Sequence, residues 1–129
     1  MLVVVTGGRN YANMQMITDV LDFVHRAEPI TGLINGLANG ADSLCRKWAV
    51  NNNVTPMDFP AKWEDIHVMG AVIRNRRDGT KYNVVAGFQR NQAMVDAGAQ
   101  MVVAFPGGNG TADMMARCEK AKLLLLQIP

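Results

Sequence analysis

The chain has 129 residues, 49% of them apolar and 19% charged, with a formal charge of +2. That is one domain with enough material for a real core, and it excludes a disordered chain. The small net charge argues against wholesale electrostatic capture of nucleic acid, and no apolar stretch approaches the length of a membrane span.

Leu2-Val3-Val4-Val5 opens a strand over 2–6 that ends in the turn Gly7-Gly8-Arg9-Asn10. Met14, Ile17, Val20, Leu21 and Val24 then fall at the spacing of a helix docked on a sheet, over 12–27. A second strand over 31–35 leads through Gly36 to Gly40 into a helix over 41–52 striped by Ala41, Leu44, Cys45, Trp48 and Ala49. Asp42 or Ser43 is placed near its start. A third strand over 54–58 stops before Pro60.

From Ala61 to Ala86 periodicity fades. Ile66, Val68, Met69 and Val72 suggest a short helix, and Asp78-Gly79 signals a turn. Arg74, Arg76, Arg77 and Lys81 against Asp78 give this stretch a net +3. It reads as a solvated loop, or more sharply as a flap over an anion or a nucleic-acid contact. A helix over 87–97 then ends at Gly98, as a residue free to turn left-handed allows. A strand over 100–105, a helix over 111–121 and a strand over 123–128 complete the chain.

Strands alternating with helices imply an α/β, Rossmann-like three-layer fold with a mainly parallel sheet of about five strands, in a single domain spanning 1–129. Right-handed crossovers bring every strand-to-helix turn to the carboxyl edge, where open α/β sheets bind ligands. Three glycine turns meet there: Thr6-Gly7-Gly8-Arg9, Gly36 to Asp42 with Asn39 and Gly40 between, and Pro106-Gly107-Gly108-Asn109-Gly110-Thr111. Glycines let the main chain approach a phosphate, and a helix start presents unpaired N–H groups to it. Thr111 is expected to cap that helix and offer its hydroxyl to the ligand. No lysine follows Gly110, so the loop is not one that hydrolyses nucleoside triphosphates in the P-loop manner.

Individual side chains carry two readings each. Arg90-Asn91, placed at the opening of a helix, offers Arg90 as a phosphate ligand or as a solvated surface residue. Asp42 accepts from a ribose or braces the helix start. Trp63 stacks on a base or packs a loop. Asp113 faces the ligand or complements the helix dipole. His25 is expected on a helix surface. Cys45 and Cys118 read as free, buried thiols in a reducing, cytoplasmic setting, since they show neither metal spacing nor a C-x-x-C pair; no metal and no cofactor are expected.

Thr6-Gly7-Gly8-Arg9, Gly36-Leu37-Ala38-Asn39-Gly40-Ala41-Asp42, Phe59-Pro60-Ala61-Lys62-Trp63, Arg90-Asn91-Gln92-Ala93-Met94 and Val103 to Met114 resemble, in order and over nearly the whole chain, the SLOG superfamily. Within it the chain is most similar to the YspA/YpsA-related branch found in bacteria and phages. The resemblance implies a Rossmann-like domain that binds nucleotides or molecules derived from them. Relatives include Lonely-guy phosphoribohydrolases, nucleotide-signal sensors of bacterial defence and a DNA-processing protein that loads single strands. In the hydrolases a glutamate follows the last glycine turn; its position here is Met114, which leaves only Asp113 nearby. Residues 74–87 look like an insertion of phage-type members.

These readings lead first to a protein that holds a small phosphorylated ligand: a nucleotide, an ADP-ribose-like molecule or a cyclic signal. In a phage setting it would sequester a defence messenger. The alternatives are an N-glycosidase on nucleoside monophosphates using Asp113, and single-stranded nucleic-acid binding through 74–81. A homo-oligomer, dimer or tetramer, is expected, with no membrane partner.

Overall fold

A computed structural model describes residues 1–129. Five strands, β1 (Leu2–Thr6), β2 (Gly32–Asn35), β3 (Thr55–Asp58), β6 (Met101–Ala104) and β7 (Leu124–Gln127), form one parallel sheet in the order β3-β2-β1-β6-β7. Four helices connect or cover them: α1 (Met14–Ala27), α2 (Ala41–Asn51), α3 (Ala86–Asp96) and α4 (Asn109–Lys120). The remaining strands, β4 (Ile73–Asn75) and β5 (Lys81–Asn83), form a separate antiparallel hairpin.

Central strands buried on both faces must be apolar throughout, which is why β1 reads as an unbroken valine run. Val3, Val4 and Val5 are all fully buried. Their alternation divides the core. Val3 and Val5 pack with Ile17, Leu21 and Val24 of α1 and Cys45, Trp48 and Ala49 of α2, whereas Val4 packs with Met94 and Val95 of α3 and Met114 and Cys118 of α4. Both cysteines are free and buried. Asn13 caps α1, its side chain accepting from the Met16 amide at 3.0 Å. Gly98 follows the end of α3 with φ +99°, as expected.

Three expectations are corrected. No helix forms over 66–72: Gly70 turns left-handed at φ +81° and the segment proceeds by turns into β4. The basic stretch is instead a hairpin whose reversal uses Asp78-Gly79, with Gly79 at φ +86° and the Asp78 carboxylate accepting from the Thr80 amide and hydroxyl. His25 is half-buried rather than free on the helix surface. Its Nδ1 accepts from the Ile30 amide at 2.9 Å, and its ring meets Trp48 edge-on, so it closes the turn after α1.

The hairpin is fastened by a side chain. Asn83 is fully buried; its carbonyl accepts from the Val72 and Val85 amides, and its Nδ2 donates to Gln89 of α3 at 2.7 Å. Replacing Asn83 with Ala leaves two amides unsatisfied, a loss of about 1–3 kcal/mol. Chemical denaturation is expected to show that loss, and hydrogen exchange to show faster exchange at Val72 and Val85 with β1 and β6 unchanged.

Candidate functional site

Chain order reverses between β1 and β6: from β1 the chain moves outward to β2 and β3, and later returns to β6 and β7 on the other side. A crevice opens at such a point beyond the carboxyl ends of the strands. Here the turns after β1 and β6 are in direct contact, with the Gly8 amide donating to the Pro106 carbonyl at 2.8 Å. The Gly8 carbonyl accepts from Tyr11 and from Ala41 at the start of α2. Three segments distant in sequence are thereby tied at one glycine.

The contact requires bare backbone. A Cβ on Gly7 would stand 2.5 Å from the Ala41 Cβ, and one on Gly40, which adopts φ +76°, would collide with the Gly8 and Arg9 carbonyls. A Cβ on Gly107 would strike the Thr111 hydroxyl and lie 2.8 Å from the Gly8 nitrogen. By contrast Gly108 and Gly110 have open space where a side chain would go.

Beside this junction lies a cleft of about 340 Å3. Thr6, Gly7, Gly8, Arg9, Asp42, Trp63, Arg90, Asn91, Gly108, Asn109, Gly110 and Thr111 line it. Gly36 and Asn39 instead line an adjoining hollow of about 260 Å3 that shares Arg9, Trp63 and Arg90 with the cleft. Gly40, Pro106 and Gly107 line neither hollow. The sequence did not single out Val84, Gly87 and Phe88, which form part of the wall. Trp63 packs over Gly87, where a Cβ would come within 3.3 Å of its ring. The cue available was a glycine followed by an aromatic residue one turn before Arg90.

One end of the cleft is built from donors. Helix α4 begins at Asn109, two residues earlier than expected, with Gly108 as its N-cap. Thr111 therefore lies inside the first turn and does not cap it. The amides of Gly107, Gly108, Asn109, Gly110 and Thr111 donate to no acceptor in the chain, and neither does that of Gly7. Thr6 and Thr111 are only 8% and 5% exposed, yet neither hydroxyl has a hydrogen-bond partner. No enclosed side-chain oxygen or nitrogen lacks a partner, so both hydroxyls open onto the cleft.

Arg90 is in the second turn of α3, not at its start. Its position is fixed by Nη1 donating to the Gly36 carbonyl at 2.6 Å and the Phe59 carbonyl at 3.3 Å, and by Nε donating to Asn91. The ion pairs of the structure join Arg46 to Asp58, Arg76 to Glu64 and Arg117 to Asp113, so Arg9 and Arg90 hold no carboxylate. Burial pushes the Arg90 pKa below the ordinary value, the Asp42 charge draws it back up, and Arg9 lowers it again. Two guanidinium groups thus share a cleft without a paired anion.

Asp42 braces the loop before α2: its Oδ2 accepts from the Gly36 amide at 3.0 Å and the Ala38 amide at 3.3 Å. That brace holds Leu37 in the left-handed region at φ 55°. Burial raises the Asp42 carboxyl above its ordinary value, opposed by those two amides and by Arg90. Asn91 is buried and donates to the Gly110 carbonyl and to Asp113, holding α3 against the start of α4. The Asp113 carboxylate also accepts from Arg117 at 2.8 Å and does not line the cleft.

This is an α/β protein of Rossmann type, with a cleft rich in unpaired donors at the switch point of a parallel sheet. Residues 1–65 match the model of the YAcAr family, the YspA, cpYpsA-related SLOG family. Over 127 residues the chain is 34% identical to the Gene 61 protein of Mycobacterium phage D29, covering 92% of this chain and 89% of that one. The protein belongs to the YspA, cpYpsA-related SLOG family. Its fold is similar to that of DNA processing protein A from Streptococcus pneumoniae, with a TM-score of 0.72 at 16% identity over 99% of this chain, which spans half of that protein.

Two variants separate spacing from helix propensity. Gly107→Ala is expected to destabilise by about 1–3 kcal/mol through overpacking, whereas Gly110→Ala, in open space within a helix, stabilises by up to about 1 kcal/mol; urea titration reads both. A third tests Asp42. Its raised pKa means that the folded chain retains a proton the unfolded chain has released, so its contribution to stability falls as pH rises from the ordinary aspartate value through the raised one. Asp42→Asn lacks that slope, and its stability relative to wild type is expected to improve with rising pH across this interval in denaturation curves.

Proposed function

We propose that the cleft binds a small phosphorylated, nucleotide-derived ligand: a nucleotide, an ADP-ribose-like molecule or a cyclic signal. The observation that carries this reading is the pair of hydroxyls on the buried residues Thr6 and Thr111, which have no partner in the chain and open to the same cleft as a run of unpaired amides. A phosphate satisfies both sets at once, with the helix dipole of α4 and the unpaired charges of Arg9 and Arg90 in its favour. Trp63 and Phe88 supply apolar surface for a planar base in the same space.

Holding rather than turnover is favoured, because the one acid near the last glycine turn, Asp113, is engaged by Asn91 and Arg117 outside the cleft. The likeness to a phage protein fits a role in sequestering a nucleotide signal of the host's defence. A cytoplasmic location and self-association belong to this same reading. Nucleic-acid binding is the second reading. It draws on the exposed Arg74, Arg77 and Lys81 of the hairpin, Arg76 being committed to Glu64 and to the face of Tyr82.

Titration calorimetry against nucleoside mono- and diphosphates, ADP-ribose and cyclic nucleotides is expected to show a dissociation constant of about 1–100 µM for one of them. Arg9→Ala, at an exposed position, is expected to weaken it about tenfold or more through loss of a charged hydrogen bond. Folded protein that binds none of the panel below millimolar concentration overturns the reading.

A further inference from the structure

The parallel sheet has two free edges, and the chain treats them differently. At β3 the edge carries Pro56, which has no N–H to offer, and Asp58, held at 3.0 Å by Arg46. Proline and charge on an edge strand block pairing with another chain. At β7 there is no such guard. Leu123-Leu124-Leu125-Leu126-Gln127-Ile128 contains neither a charge nor a proline. Leu124 is 68% exposed and Leu125 41%. The outward N–H and C=O groups of this strand are a template for one more strand.

The faces of β7 can be assigned. Leu126 and Ile128 pack against the core on the α1–α2 side, and Leu123 against the core on the α3–α4 side. Alternation puts Leu124 on the first side and Leu125 on the second.

We propose that β7 pairs antiparallel with β7 of a second copy of this chain, about a two-fold axis through Leu125, so that one sheet runs through both copies. Residues directly opposite in antiparallel strands share a face. This register sets Leu125 against the partner's Leu125, and the exposed Leu124 against the partner's Leu126. Both contacts are leucine on leucine, and each lies on the face its own core already uses. A second copy fits better than a charged or polar peptide, since nothing charged stands between Lys122 and the end of the strand on either side. The isologous arrangement also brings Lys122 opposite the partner's Ile128, so like charges do not meet. The surface lies apart from the cleft and the inference rests on its own observations.

Sedimentation equilibrium at tens of micromolar is expected to give twice the 14.1 kDa chain mass. Leu125→Lys, which sets two like charges face to face, is expected to return it to a single chain with an unchanged circular dichroism spectrum. Leu125→Cys covers the case in which that variant misfolds: mild oxidation is expected to cross-link it into covalent dimers. Val50→Cys, exposed on α2, is expected to stay uncross-linked under the same oxidation; Cys45 and Cys118 are buried in both variants. A wild-type chain that sediments as a monomer overturns the proposal. So does a folded Leu125→Lys that remains dimeric, or a Leu125→Cys that fails to cross-link.

Discussion

The main chain of Gly8 is the point on which the rest depends. Its amide reaches Pro106 after β6, and its carbonyl receives Tyr11 from its own turn and Ala41 from the start of α2. A Cβ on Gly7, Gly40 or Gly107 would strike a neighbouring turn, which is why glycines surround the junction. Once those turns are locked together, the start of α4 cannot move away from the end of β1. The free amides of 107–111 are held in a fixed array by constraints that lie behind them.

The charges around that array follow from the same geometry. Arg90 reaches the cleft from α3, which packs beside α4 on the same face of the sheet, and it stays there because two carbonyls, from Gly36 and Phe59, hold its guanidinium. Those carbonyls are neutral, so the positive charge is positioned without being cancelled. Asp42 is close enough to influence it but spends its Oδ2 on the loop amides. The donors of the cleft are therefore already oriented, which leaves little to reorganise on binding the proposed anion.

Much of this was legible before any coordinates. The valine run, the helical stripes and the glycine turns specify a parallel α/β sheet, because a strand covered on both faces and a helix docked on one leave different periodicities. The convergence of the turns follows from the handedness of the crossovers. What escaped sequence reasoning depends on contacts between distant residues. The start of α4 at Asn109 reads as loop because glycine disfavours helix, yet Asn91 of α3 holds the Gly110 carbonyl and fixes the turn. The strands β4 and β5 are three residues each, too short to show alternation, and an asparagine side chain rather than a wide sheet holds them. His25 looked like a surface residue because its partner, the Ile30 amide, comes near only after the chain has turned. Val84, which follows the hairpin, and Phe88, in the first turn of α3, belong to the wall of the cleft only through the tertiary fold.

The hairpin anchor has one more consequence. Asn83 and Gln89 grip the base of the hairpin, while the far loop from Arg76 to Thr80 touches little beyond Glu64 and its own residues. Rewriting that tip leaves the grip intact. This rim is accordingly where sequence drift is cheapest, and where the molecule is able to acquire a new surface chemistry without disturbing the cradle beneath it.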